Sequence, residues 1–212
     1  MRMRRKRRLD ERINGCESLL VREPENNSGH WLDELEYKEL RLELGCGKGL
    51  FTVETAKREP DILFIGLEKL SNVIVTALER AEQEGVQNVR FINRLADDLP
   101  SFFAFGEVSR IYINFCDPWP ANKHKKRRMT GSIFLELYKQ ILRPGGEIHF
   151  KTDDLQLFEF SLEEFERFGF LLSEVTYDLH ETGTVGVMTD YEIKFHELGI
   201  PICKCVVQYR KK

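Results

Sequence analysis

Short apolar segments alternate with amphipathic segments along most of this chain, and no other feature constrains the fold as strongly. Uniformly apolar strands that alternate with helices are typical of a parallel, doubly wound α/β sheet with helices on both faces. Ligands of such sheets bind at the carboxyl ends of the strands. The predicted strands are residues 39–45, 62–68, 89–93, 110–115 and 147–151, the predicted helices are 49–58, 71–85, 131–142 and 155–168, and residues 170–179 and 201–209 are β-like.

The first 30 residues differ in character from the rest of the chain. A basic run is followed by the turn-rich residues 24–29. We therefore predict a basic N-terminal arm over residues 1–30, whose order the sequence leaves open, and a single domain over residues 31–212. With 212 residues and 42% hydrophobic content, the chain is long and apolar enough to bury a core. It shows neither a bilayer-length apolar run nor the apolar core of a signal peptide, so we expect a cytoplasmic protein without a membrane partner.

Basic residues are clustered, although the formal net charge is -3. Six of the first eight residues are Arg or Lys, and a second run spans residues 123–128. A locally positive surface of this kind suits the phosphates of a nucleic acid. The alternative is a disordered basic tail and a solvated charged helix, and charge alone does not separate the two.

The five cysteines argue against two kinds of stabilising site. They are odd in number and show no CxxC spacing, so neither a disulfide framework nor a zinc site is indicated, and we expect no metal. The pair Cys203 and Cys205 would share one face of a strand, as small buried residues do. The sequence does not choose between a monomer and a homodimer.

A glycine-rich turn follows the first predicted strand. The segment Glu43-Leu44-Gly45-Cys46-Gly47-Lys48-Gly49 places glycines where a tight turn and close approach of a ligand to the backbone need them. The third glycine is one residue too early for GxGxxG, which weighs against a nicotinamide or flavin. E-L-G-x-G-x-G resembles instead the glycine loop of Rossmann-like methyltransferases.

Acidic residues lie where the cofactor of a Rossmann-like methyltransferase would meet the neighbouring strands. Glu68 ends the second strand, where a carboxylate suits ribose hydroxyls, and the alternative is an exposed acid at a strand end. Glu43, just before the glycines, is placed to accept a hydrogen bond from the cofactor's ammonium group or to orient it. The third strand leads into residues 93–98, where methyltransferases usually meet adenine, although Asp97 and Asp98 also suit a helix N-cap.

The most informative segment is Asn114-Phe115-Cys116-Asp117-Pro118-Trp119-Pro120. Two prolines restrict the backbone and place Asp117 and Trp119 at the end of the fourth strand. The alternative is a proline-rich turn with a packing tryptophan. The basic run that follows favours a functional role near RNA.

A set of motifs in fixed order resembles the tRNA (guanine-N7)-methyltransferases of bacteria. The set is N-F-x-D-P-W-P, K-H-K-K-R-R-M-T, H-F-K-T-D at residues 149–153, D-L-H at 178–180 and M-T-D-Y-E-x-K-F at 188–195, and the similarity covers about residues 39–209. The resemblance implies a Rossmann-like methyltransferase domain with an antiparallel C-terminal strand. It also implies methyl transfer from S-adenosylmethionine to guanine N7 in tRNA, at the variable-loop guanosine (tRNA position 46).

The resemblance also carries residue roles. Asp117 is expected to be the catalytic residue, and a second group of residues is expected to border the cofactor. A third group is expected to border the RNA substrate, and the second basic run is expected to contact tRNA phosphates. The cofactor group is Glu43, Gly45, Gly47, Glu68, Leu95, Ala96 and Asp117; the substrate group is Ala121, Lys123, Asp153, Thr189, Asp190, Tyr191 and Glu192; the basic run is Lys123, His124, Lys125, Lys126, Arg127 and Arg128.

Two positions depart from the family pattern. Leu95 stands where the family usually has an acid or amide, which leaves only backbone contacts to the cofactor there. Ala121 stands where a lysine is usual, and Lys123 is the nearest replacement. The alternative activities are methylation of another RNA or of a small molecule, and a non-catalytic RNA-binding protein is the alternative outside the enzymes.

Overall fold

A seven-stranded sheet organises the chain in the computed structural model, which describes residues 6–33 and 36–210. The strand order is β3-β2-β1-β4-β5-β7-β6, and every pairing is parallel except those of β7 with its two neighbours. The predicted doubly wound sheet with one antiparallel C-terminal strand is confirmed. The strands are β1 Glu39–Leu44, β2 Ile62–Leu67, β3 Val89–Ile92, β4 Val108–Asn114, β5 Leu142–Thr152, β6 Phe170–Thr176 and β7 Cys203–Tyr209.

Helices cover both faces of this sheet, and each face has its own apolar core. Helices α2 and α3 pack on one face around Phe51, Ile74 and Leu78, and helices α4, α5 and α6 pack on the other face. Every residue of β2 is buried, as expected for a strand covered on both sides. The helices are α1 Leu9–Asn14, α2 Leu50–Arg58, α3 Ser71–Gln83, α4 Leu99–Phe102, α5 Ser132–Ile141, α6 Leu155–Arg167 and α7 Asp190–Glu197, with short 3-10 helices at Pro24–Asn27, Ala96–Asp98 and Asn122–Arg127.

Among the differences from the sequence-based predictions, one concerns the sheet and one the last motif. Residue 142, predicted to end a helix, and Pro144-Gly145-Gly146, whose composition predicts a turn, form the beginning of β5, because Leu142 pairs with Val108 and the ladder resumes at Arg110 after an irregularity in register. Residues 190–197, which were given no secondary structure, form helix α7. Neither difference changes the class of the sheet, which is parallel except for the pairings of β7.

The N-terminal segment is packed on the domain from residue 6 onwards. Arg12 donates two 2.6 Å hydrogen bonds to Glu79 of α3, and Val21 donates its N–H to the Phe91 carbonyl at the sheet edge (2.9 Å). Trp31 is buried and stacks on a core phenylalanine, with its Nε1–H on the Phe102 carbonyl at 2.8 Å. The predicted arm is therefore docked between residues 6 and 30. The arginines at positions 2, 4 and 5 lie outside the described residues.

Candidate active site

The glycine loop after β1 leaves the backbone open at two positions. Gly45 and Gly47 have φ values of 72° and 59°, which lie in the left-handed region that favours glycine. A Cβ added at Gly45 would meet nothing within 4 Å, and one at Gly47 would meet only the Gly45 carbonyl oxygen at 3.9 Å. These glycines are therefore not required by packing against the rest of the protein. Their backbone forms a surface that a ligand can approach closely.

Glu43 lies beneath this loop with its carboxylate buried. The Asn114 Nδ2 donates to one carboxylate oxygen at 2.9 Å, and the Thr52 hydroxyl donates to the other. Burial raises the pKa of Glu43 to about 7, and these two hydrogen bonds oppose the shift. Near neutral pH the protonated form of this carboxyl is therefore substantially populated, and a nearby cation would stabilise its ionised form. Among the described residues, the buried Asn114 Oδ1 has no hydrogen-bond partner.

The ends of β2 and β3 are joined by one side-chain amide, that of Asn93. Glu68 is buried, and its Oε1 accepts the Leu70 N–H at 2.9 Å. Asn93 donates to the Glu68 carbonyl at 2.7 Å and accepts from the Ser71 hydroxyl at 2.7 Å. The next turn exposes half of the Leu95 side chain, whereas Ala96 is buried at the start of a 3-10 helix. Asn93 is not among the predicted site residues, although its position directly after a strand is a signal for one.

The loop after β4 exposes Asp117 and holds it in an unusual backbone. Phe115 and Trp119, on either side of Asp117, have φ values of 53° and 43°, which are rare for residues with a side chain. Prolines alone do not fix this loop. Arg128 is buried beneath it and donates to the Pro118 carbonyl at 2.9 Å and the Trp119 carbonyl at 3.2 Å. Asp117 is thus an exposed carboxylate on a backbone held from below.

The basic run begins directly after this loop, and its members separate into two kinds. Lys123, Lys125, Lys126 and Arg127 are exposed on the 3-10 helix Asn122–Arg127. His124 is half-buried with its ring against Trp119, and the Arg127 guanidinium lies 4.8 Å from the centre of the Trp119 ring. The buried Arg128 instead supports the Asp117 loop. Arg128 is one of the predicted RNA contacts, and the pattern of charges gave no signal for its inward direction.

The substrate residues predicted on the last motif also separate. Asp190 and Tyr191 are exposed, and the Tyr191 ring stacks on Phe115 with centroids 6.5 Å apart. Thr189 caps helix α7 by accepting the Glu192 N–H at 3.0 Å, and the Glu192 side chain is fully buried. The remaining two predicted positions, Ala121 and Asp153, are exposed.

The parallel register brings these groups to one edge of the sheet. Glu43 pairs with Gly66 on β2 and with Tyr112 on β4, and Asn114 pairs with Lys151 on β5. The glycine loop, Glu68, the Asp117 loop and Asp153 all follow the carboxyl ends of these neighbouring strands. No group of three or more His, Cys, Asp or Glu side chains within residues 6–33 and 36–210 has the arrangement of a metal site. In the same residues, no helix has the length and apolar character needed to cross a bilayer.

This sheet order, with a glycine loop after β1 and an acid after β2, defines a Rossmann-like methyltransferase. Residues 38–205 match a family described as "Putative methyltransferase". A solved 16S rRNA methyltransferase, KamB, has the same fold, with a TM-score of 0.66 and 15% identity over 83% of this chain and 90% of that one.

Curated relatives are considerably more similar. The tRNA (guanine-N(7)-)-methyltransferase of Geobacillus kaustophilus is 44% identical over 97% of this chain and 95% of its own length. The protein of the same name from Bacillus velezensis is 42% identical over 100% and 99% of the two chains. The chain belongs to the tRNA (guanine-N7)-methyltransferase family, as the ordered motifs predicted.

Proposed function

We propose that this protein transfers a methyl group from S-adenosylmethionine to N7 of a guanosine in tRNA. The observation that carries the proposal is the position of Asp117, an exposed carboxylate between the glycine loop and the exposed cations of residues 123–127. A small substrate would need no such cationic surface. The curated relatives that match the whole chain carry this activity in their names.

The residues at the edge of the sheet fit S-adenosylmethionine. The open backbone at Gly45 and Gly47 admits close approach of a ligand, and the Glu68 carboxylate suits ribose hydroxyls. Glu43 offers a partner for an ammonium group, and the exposed Leu95 leaves the adenine to backbone groups near Ala96. When bound, the cofactor supplies a methyl carbon on a positively charged sulfur.

The chain's own residues then have to position the guanine rather than deprotonate it. Guanine N7 carries a lone pair and no proton, so in-line attack on a methyl group requires proximity and alignment but no general base. Positive charge develops on the guanine during this attack, and Asp117 is placed to stabilise it. A carboxylate also accepts hydrogen bonds from guanine N1–H and N2–H, which adenine does not offer in the same arrangement.

The exposed cations explain how tRNA is held beside Asp117. Lys123, Lys125, Lys126 and Arg127 present four positive charges within one short helix. Each phosphate that they neutralise releases counterions, so the affinity should fall steeply with salt. Lys123 follows two residues after Ala121, where the family usually has a lysine. The target base must leave the tRNA fold to reach the site, at a cost of a few kcal/mol.

The exposed residues around the loop are the proposed substrate contacts. Asp153, Asp190 and Tyr191 are accessible, and the half-exposed Thr189 begins the same helix. Tyr191 is a better stacking partner for an extruded base than Trp119, because Tyr191 is 61% exposed and Trp119 is half-buried. The cytoplasmic location and the variable-loop guanosine stay predictions.

Methyl transfer from labelled S-adenosylmethionine to an unmodified tRNA transcript, followed by identification of the labelled nucleoside, tests this function. We expect labelled 7-methylguanosine, and its loss from a transcript whose variable-loop guanosine is replaced by adenosine. Asp117→Ala should fold and lose roughly 100-fold or more in turnover. Label in another nucleoside would indicate a different RNA reaction. No transfer despite a thermal shift with S-adenosylhomocysteine would indicate a small-molecule substrate.

A further inference from the structure

Three buried polar side chains meet behind the proposed substrate contacts. The Lys151 Nζ lies 2.9 Å and 3.1 Å from the two carboxylate oxygens of Glu192, and the His180 Nε2 lies 2.9 Å from the first of them. The Glu192 side chain is 0% exposed, and those of Lys151 and His180 are 11% and 3% exposed. We refer to these three residues as the buried network.

The hydrogen bonds fix the direction of the His180 ring. The Val185 N–H donates to His180 Nδ1 at 3.3 Å, so in the neutral ring the proton is on Nε2 and is donated to Glu192. The Thr189 N–H adds a further donor to Glu192 at 3.3 Å. Donors from within the chain therefore surround both carboxylate oxygens. In this arrangement Glu192 has no exposed oxygen for a substrate.

The buried network is connected to the Asp117 loop at two points. The Lys151 backbone carbonyl accepts the Phe115 N–H at 2.9 Å, so one residue contacts the Asp117 loop with its backbone and helix α7 with its side chain. Next to Glu192 on α7, the rings of Tyr191 and Phe195 stack on Phe115 with centroids 6.5 Å and 6.0 Å apart. Phe115 is two residues before Asp117.

Stability alone is a weak reason for this arrangement. A buried ion pair loses the hydration of two charges and is often no more stable than apolar residues of the same volume. Capping of α7 needs only Thr189 and a Glu or Gln at position 192, and does not require Lys151 or His180. What Lys151 and His180 add is one fixed position of α7 relative to β5 and to Phe115.

We infer that Lys151, His180 and Glu192 are positioning residues for methyl transfer: they hold α7 so that Tyr191 stays against Phe115, two residues before Asp117, where the guanine must enter. This inference rests on the proposed function. It assigns Glu192 an indirect role, in place of the direct substrate contact that the family resemblance implies. Because a displacement of about 1 Å at a reacting centre costs on the order of 100-fold in rate, loss of the buried network should appear in kcat.

The experiment compares Lys151→Met, His180→Leu and His180→Gln with the wild type. Lys151→Met and His180→Leu should lower kcat by roughly 10- to 100-fold, with the KM for S-adenosylmethionine within about threefold of wild type. His180→Gln retains an N–H donor for Glu192 and should recover most of the rate. Amide hydrogen exchange in residues 180–199 should be faster in the two impaired variants and near wild type in His180→Gln.

A matched control is Lys57→Met, which removes another lysine with two carboxylate partners, Glu54 and Glu84, on the outer side of α2. It should leave kcat and exchange unchanged. If Lys151→Met does not fold, the His180 pair decides the matter. Wild-type kcat in His180→Leu would overturn the inference. A raised KM for tRNA in His180→Leu, together with unchanged amide hydrogen exchange, would also overturn it, because that combination indicates direct contact with the RNA. If the wild-type enzyme methylates a nucleoside other than guanosine at N7, the proposed function fails. The positioning role is still tested in that case, by comparing the rates at which the variants and the wild type form that other product.

Discussion

The buried carboxyl of Glu43 should make the stability of this protein depend on pH in a way that one substitution removes. Burial raises the pKa of Glu43 from 4.5 to about 7. Between these two values the folded state binds more protons than the unfolded state, so this group's contribution to the free energy of unfolding falls as the pH rises. Glu43→Gln keeps the shape of the side chain and cannot ionise.

The magnitude follows from the two pKa values. A rise of the pKa from 4.5 to about 7 corresponds to about 3 kcal/mol when the carboxyl is fully ionised. Integration over pH gives a penalty of about 1 kcal/mol at pH 5 and about 3 kcal/mol at pH 8. Gln loses part of the hydrogen bonding with Thr52 and Asn114, worth about 1 kcal/mol at either pH. Glu43→Gln should thus be near wild-type stability at pH 5 and more stable by about 2 kcal/mol at pH 8.

Urea unfolding of both proteins at pH 5 and pH 8 measures this difference, and other titrating groups cancel in the comparison. Glu136→Gln is the control, because its carboxylate is on the exposed side of α5 and stays in water on folding. A stability difference between Glu43→Gln and wild type that changes by less than about 0.5 kcal/mol between the two pH values would refute the burial argument.

Three further results are expected. Because an ammonium beside Glu43 would lower the raised pKa of this carboxyl, binding of S-adenosylmethionine near pH 7 should release a fraction of a proton. Calorimetry in buffers of different ionisation enthalpy should detect this release, and Glu43→Gln should abolish it. Tyr191→Ala should lower kcat/KM for tRNA by roughly 10-fold or more, whereas Tyr191→Phe should stay near wild type, because stacking needs only the ring. An equal loss of kcat/KM in both variants would contradict stacking. The double substitution Lys123→Glu and Lys126→Glu should weaken tRNA binding and flatten its dependence on salt, which filter binding across salt concentrations measures. Arg128→Met should instead mainly lower kcat, which steady-state kinetics measures.

Most of the fold was predictable because its signals are local. An apolar run such as residues 62–67 is buried only when helices cover both faces of its strand, and glycines or prolines mark where the neighbouring elements end. The start of β5 was not predictable in this way, since Pro144-Gly145-Gly146 has the composition of a turn. Pairing with Val108 across the sheet overrides that local preference. Helix α7 was within reach, because Thr189 followed by Glu192 is the spacing of a capping box.

The site was predictable to the extent that its residues follow strand ends. That rule located Glu43, Glu68 and Asp117, which the structure brings to one edge. It gave no information about which side chains point inward. Arg128 is one of six consecutive basic residues, and only the three-dimensional path of the loop shows that it supports Pro118. Likewise, the partners Lys151 and Glu192 are 41 residues apart, and a single sequence does not reveal such a pairing.

A reaction without a general base changes which residues should matter for its rate. Since alignment is the protein's main contribution, the groups that hold the reacting surfaces are as important as those that touch the substrate. Here each surface has a buried polar anchor: Asn114 holds Glu43 beside the glycine loop, Arg128 holds the Asp117 loop, and Lys151 holds α7. Asn114 and Lys151 are paired neighbours at the ends of β4 and β5, so two of the three anchors move as one rigid unit. Substitutions at these buried positions should therefore reduce turnover more than substitutions of the exposed cations, which contribute mainly to capture of the RNA.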